Sequence, residues 1–149
     1  MLPIIHQQIE KGISDYLASF KGDYIDQGFE FTIEGDWWGD DVYKIEVTGY
    51  HKDDYQPDRQ TRFVLLRLFI NHQYHQVQIS NIFLPTFMKH RGLGKKLIYK
   101  VFVISEQEQY ELFIVDMVNS FYQKMIARGA LPCNGCDDAV QVVRGTKLL

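Results

Sequence analysis

The stretch FLPTFMKHRGLGKKL, residues 83–97, gathers Lys89, His90, Arg91, Lys95 and Lys96 around Gly92 and Gly94. It does so where an apolar run stops and a helix-spaced pattern begins. Glycines let backbone N–H groups approach an anion closely, and a helix start adds the positive end of its dipole. A strand, a Gly-rich turn and a helix start together are what a phosphate group needs. Lys89, Arg91, Lys95 and Lys96 add full charges, so the stretch suits a diphosphate held by charge-assisted hydrogen bonds. It lacks the GxxxxGK[ST] of a P-loop and completes no GxGxxG dinucleotide fingerprint. The bland alternative is a Gly-containing turn followed by a solvated basic helix start.

Other candidate chemistry is thinner. Cys133-Asn-Gly-Cys136 is a single CxxC, whereas zinc sites need four ligands and thioredoxin chemistry needs the pair at a helix start. Asn134-Gly135 between the thiols predicts a hairpin turn with two reduced cysteines. The aspartates of GDWWGDD and HKDDYQPD lack EF-hand spacing and read as solvated loops, so no metal site is expected. Trp37 and Trp38 are adjacent, so both cannot face one side of a strand. One of them lines a pocket or partner surface, or both pack over the core.

These residues need elements to position them. The chain has 149 residues and suggests one domain spanning 1–149. It is 46% hydrophobic and 23% charged, an ordinary globular composition. The formal net charge of −3 makes any cationic site local and argues against a general nucleic-acid binder. No apolar run is long enough for a membrane span, and the N-terminal residues lack the basic-then-apolar pattern of a signal peptide. The default expectation is a cytoplasmic protein.

Ile5, Ile9, Ile13, Tyr16, Leu17 and Phe20 fall on one helical stripe, with Gly12 weakening it. FEFTIE, VYKIEVTGY, RFVLLRLFI and YHQVQISNIFL read as four strands, the third buried on both sides. Helical spacing follows through Leu93, Leu97, Ile98, Val101 and Ile104, then a fifth strand, YELFIV. A helix over NSFYQKMIARGA is expected to open on a capping box, Ser120 with Gln123, and to close at Gly129. A terminal hairpin follows. The fold class predicted is α/β (α+β), with a mostly antiparallel sheet of about six to seven strands, flanking helices and one helical crossover.

With that order in place, KHRGLGKKL resembles the acetyl-CoA-binding motif of the GNAT family of N-acetyltransferases, an Arg/Gln-x-x-Gly-x-Gly/Ala pattern between the fourth strand and the next helix. Lys89, His90, Arg91, Gly92, Leu93 and Gly94 match it, with Lys89 standing where Arg or Gln is usual. LFIVDMVNSFYQKMIARGA resembles the family's fifth strand and following helix, with Asn119, Tyr122, Lys124 and Gly129 as the corresponding residues. Tyr122 follows Asn119 by one helical turn rather than two, and Ala130 replaces an aromatic. The family's two helices between the first and second strands have no counterpart in EGDWWGDD.

The resemblance implies direct acetyl transfer from acetyl-CoA, the co-substrate, to a small-molecule or peptide amine. Backbone donors at Ile82, Phe83 and Leu84 would hold the cofactor arm and polarise the thioester carbonyl. Lys89 to Lys95, Asn119, Tyr122 and Lys124 would complete the cofactor site. Tyr122 would protonate the leaving thiolate, and Glu46, with Glu30 and His75 behind it, would serve as base. Each of these also reads as an ordinary packed or solvated residue. A non-catalytic acyl-CoA-binding module on the same fold is the alternative, and homodimer formation is open. A nucleic-acid binder using Lys89 to Lys100 is disfavoured, because no stacking aromatics interleave those charges.

Overall fold

The computed structural model describes residues 3–19, 22, 28–51, 61–84, 89 and 92–149. A helix, α1 (Ile4–Ala18), precedes four strands, β1 (Phe29–Trp37), β2 (Val42–His51), β3 (Thr61–Asn71) and β4 (Gln76–Ile82). Then come α2 (Leu93–Gln107), β5 (Glu111–Ile114), α3 (Asn119–Ala127), β6 (Leu131–Pro132) and β7 (Val140–Val142). The seven strands form one sheet in the order β1-β2-β3-β4-β5-β7-β6. Only β4 and β5 run parallel among the described pairs, joined by α2; the rest are antiparallel.

Period-2 alternation decides which sheet face is covered. Ile45, Leu68, Ile79, Ile114 and Val140 are cross-strand neighbours in one row; Tyr43, Ile70, Val77, Leu112 and Val142 form the next. All ten are buried and belong to one core with Ile9 and Ile13 of α1 and Leu97 and Val101 of α2. Full burial of each such aliphatic contributes about 1.5–3 kcal/mol. The opposite face carries Lys44, Glu46, Arg67, Gln78 and Gln141, all half-buried. β3 is therefore not buried on both sides as its sequence suggested. Its doubled leucines arise from a bulge: Val47 pairs Leu66 and Thr48 pairs Val64, leaving Leu65 extra.

Gly12 has a packing reason. A Cβ there would lie 2.7 Å from Ile104 Cδ1, so glycine lets α1 and α2 approach. The Tyr16 hydroxyl ties the same pair by donating to the Leu93 carbonyl at 2.9 Å. Two local expectations change. The cap of α3 is Val118, with no side-chain cap bond, and Ser120 lies inside the first turn, so the capping box does not form. The Asn134-Gly135 turn forms with Gly135 at φ 78°, but inside a longer connection, residues 133–139, rather than directly between strands. Gly129 ends α3 as expected, at φ 99°.

Candidate functional site

A parallel pair joined by a helix opens a crevice beyond its carboxyl ends, where the two chains leave in different directions. Here the ladder of β4 and β5 ends at Ile79 and Ile114, with Val115 N–H donating to the Ile79 carbonyl at 2.9 Å. β4 runs on to Ile82, paired only with β3. A second bulge causes the divergence: Arg67 pairs Asn81 and Leu68 pairs Ile79, leaving Ser80 extra. Bulges bend a strand and sharpen its twist. Asn81 secures the bent segment, its side-chain amide donating to the Val64 carbonyl at 2.9 Å.

A cavity of about 420 Å³ opens beside this divergence, between the end of β4, the start of α2 and α3, within the size range of ligand pockets. Ile82 at the end of β4 and Leu84 just past it form one wall, Gly92 to Lys95 and Ile98 at the start of α2 a second, and Phe121, Lys124 and Met125 of α3 with its caps Val118 and Arg128 a third. A smaller hollow of about 140 Å³ shares Ile82, Val118 and Phe121 and extends between Ser80–Asn81 and Ile114–Met117. The cleft thus has an apolar floor and a cationic rim.

The helix start supplies donors. Gly92, at φ 69°, caps α2 in the left-handed region and makes no side-chain cap bond. Four N-terminal N–H groups of any helix lack intrahelical partners. Lys96 N–H already closes on the Gly92 carbonyl at 3.1 Å, which leaves the amides before it at the cavity wall. Gly94 sits close under Leu84: a Cβ there would meet Leu84 Cδ1 at 3.3 Å. Lys89 is exposed, with its ammonium 6.0 Å from the Phe83 ring centroid.

The structure sorts the sequence candidates. Ile82, Leu84, Gly92, Leu93, Gly94, Lys95 and Lys124 come together around the cavity. Phe83 does not: its N–H donates to the Leu65 carbonyl at 2.8 Å, and its ring is 47% exposed. Successive strand amides point to opposite edges, so Ile82 and Leu84 are the ones left for the cleft side. His90 and Arg91 lie outside the described residues. Asn119 is exposed and lines neither hollow. Tyr122 is half-buried against the core; Phe121 occupies the cavity wall in its place.

The base candidates scatter. Glu46 projects from the face opposite the core and accepts from Arg67 Nε at 2.7 Å. Glu30 is exposed on β1. His75 precedes β4, at the sheet end away from the cleft, and stacks on Tyr110 with centroids 4.7 Å apart. The carboxylate that lines the hollow is Asp116, which the sequence reading passed over. It follows β5 at φ 55°, a left-handed conformation that Asp tolerates and most residues do not. Its signal was positional: the first acidic residue past a parallel strand that ends at a crevice.

The far sheet end is closed. His6 is 1% exposed, stacks on Tyr43 with centroids 3.8 Å apart, and meets Trp37 edge-on. His6 Nε2 and His72 Nε2 lie 2.6 Å apart, and His72 Nδ1 lies 2.7 Å from the Tyr110 hydroxyl. Among the described residues His6 Nδ1 has no hydrogen-bond partner. Burial, then the charge of His72, pushes the His6 pKa down to about 4. His72 is lowered by burial and by His75, against an opposing pull from Asp41. Trp37 therefore packs at this end, and Trp38 points to the other face, with the Lys44 ammonium 4.9 Å over its ring.

No family model, curated protein or solved structure matches this chain. Its own geometry is what bears on function. Among the described residues no group of three or more His, Cys, Asp or Glu side chains is placed to hold a metal ion, and no helix is long and apolar enough to cross a membrane.

Proposed function

We propose that the protein is an acetyl-CoA-dependent N-acetyltransferase on a GNAT-like fold, acting on a small-molecule or peptide amine. The observation that carries this reading is the cleft between diverging β4 and β5, with the uncapped start of α2 in its wall. Acetyl-CoA joins a diphosphate to a long, weakly polar arm ending in a thioester, and the donor set suits both parts. Leu93 to Lys95 amides with Lys89, Lys95, Lys124 and Arg128 match the diphosphate. Ile82, Leu84, Val118 and Phe121 match the arm. The backbone N–H groups of Ile82 and Leu84, unopposed by β5, are candidates to hold the carbonyl oxygen as it gains charge.

Acyl transfer to an amine replaces the C–S bond by a C–N bond, so the ammonium nitrogen must lose two protons: one to a base before attack, and one after it that ends on the departing sulfur. Asp116 lines the hollow beyond the arm and takes the incoming amine's proton in this reading. Tyr122, off the cavity wall, is left to packing. Glu46, committed to Arg67, is left to the sheet face.

A second reading has its own observation. Only residues 38–41 connect β1 and β2, where the family builds the acceptor side from two helices. A non-catalytic acyl-CoA-binding module would need no acceptor side. Thermal unfolding with acetyl-CoA, followed by thiol release against an amine panel, separates the cases. A ligand that binds only the native state stabilises by about 2.7 kcal/mol at a hundredfold excess over Kd. Stabilisation with turnover supports the transferase, and stabilisation without turnover on any amine supports the module. No stabilisation at millimolar acetyl-CoA refutes both.

A further inference from the structure

Cys133 and Cys136 lie outside the cleft chemistry, yet their placement is specific. Cys136 N–H donates to the Cys133 carbonyl at 3.2 Å, closing a four-residue turn. Gly135 takes φ 78°, the value a type II turn asks of its third residue. Such a turn holds its end Cα atoms within about 7 Å, and disulfides span about 4.4–6.8 Å. The flanks are anchored: Pro132 pairs Val140, and Cys133 N–H reaches the Ala139 carbonyl at 3.4 Å. Both thiols are free; Cys133 is half-buried and Cys136 exposed. Burial and the neighbouring Cys136 both raise the Cys133 thiol pKa.

We propose that Cys133 and Cys136 form a reversible dithiol–disulfide site that exchanges with small neutral disulfides. The exposed Cys136 thiolate attacks one sulfur of the small disulfide, forming a mixed disulfide and expelling one small thiolate. The Cys133 thiolate then attacks the Cys136 sulfur, closing the internal bond and expelling the second. Two electrons pass to the small disulfide, and the two protons of the cysteines end on the two small thiols. Order of attack follows exposure, since the thiolate is the nucleophile and access limits it. Asp137 and Asp138, both exposed, follow directly, so an anionic disulfide is repelled and a neutral one is not. An exposed disulfide of this kind is labile and readily reduced again.

The test incubates the folded full chain with hydroxyethyl disulfide, quenches with acid, alkylates free thiols and reads intact and peptide masses. Wild type should lose both free thiols and become two hydrogens lighter, without retained probe, and dithiothreitol should restore it. Cys133→Ser should trap one probe half on Cys136. Cys136→Ser should lose the internal bond and react more slowly at Cys133. Three results would overturn the site: both thiols staying reduced in wild type, stable probe adducts in wild type without the internal bond, or Cys133 reacting faster than Cys136 in the single variants.

Discussion

The two ends of the sheet behave oppositely. At the carboxyl end of β4 and β5, a bulge at Ser80 parts two strands, and the gap stays open to a cationic rim. At the other end, Tyr43, Trp37 and His72 close around His6 until it is 1% exposed, with Tyr110 behind His72. The open end leaves helix amides available, as binding requires. The closed end holds imidazoles that resist protonation, because burial and the neighbouring imidazoles outweigh the pull of Asp41 on His72. Location relative to the parallel pair separates a candidate site from a buried polar cluster, and titratable residue type does not.

The largest expected effect falls at the open end. Asp116→Asn should lower kcat by roughly 10²–10⁴-fold, the usual range for one positioned proton-transfer group. The KM for acetyl-CoA and the melting temperature should hardly move, because Asn tolerates the same left-handed backbone. Wild-type turnover in this variant would remove Asp116 from the mechanism.

The closed end predicts a pH effect on stability. His6 titrates near 6.5 when unfolded and about 4 in the fold. Between those values the unfolded chain binds more protons. The contribution is therefore complete above 6.5 and is lost as pH falls toward 4, to the extent of about 3 kcal/mol. The lowered His72 acts in the same direction. Urea midpoints across that range measure it, and His6→Leu should flatten most of the slope. A flat wild-type profile would mean the closed end is wetter than described.

Gly92→Val sharpens the comparison at the open end. A β-branched residue at φ 69° costs about 1–2 kcal/mol and displaces the start of α2. Thermal unfolding should show that loss and also the disappearance of any acetyl-CoA-induced rise. A variant that still responds to acetyl-CoA would dissociate binding from the helix start. The smallest effect is expected from Tyr122→Phe: under about 0.5 kcal/mol in stability and little change in turnover. A hundredfold loss of turnover would return the leaving-group acid to Tyr122.

Element order was legible because apolar periodicity is a local signal: Ile5, Ile9 and Ile13 for α1, and Tyr43, Ile45 and Val47 for β2, all now buried. Gly92 and Gly94 were legible as a turn into a helix for the same reason. What stayed hidden depends on partners far along the chain. Alternation tells which face Ile82 and Phe83 present but not which edge their amides face, and that edge separates a free donor from a β3 bond. The Ser80 bulge is fixed by the register of β3, and the role of Asp116 by where two strands part. Ser120 with Gln123 has the composition of a capping box, yet the cap falls two residues earlier, at Val118.

The central claim is that acetyl-CoA enters the cleft between β4 and β5. Heteronuclear NMR of the amide resonances during titration with acetyl-CoA tests it most directly. Shifts should concentrate at Ile82, Leu84, Leu93 to Lys95, Asp116 and Val118, with His6, His72 and Tyr110 unmoved. Saturating acetyl-CoA that leaves the cleft amides unshifted, or that moves the histidine end instead, would contradict it.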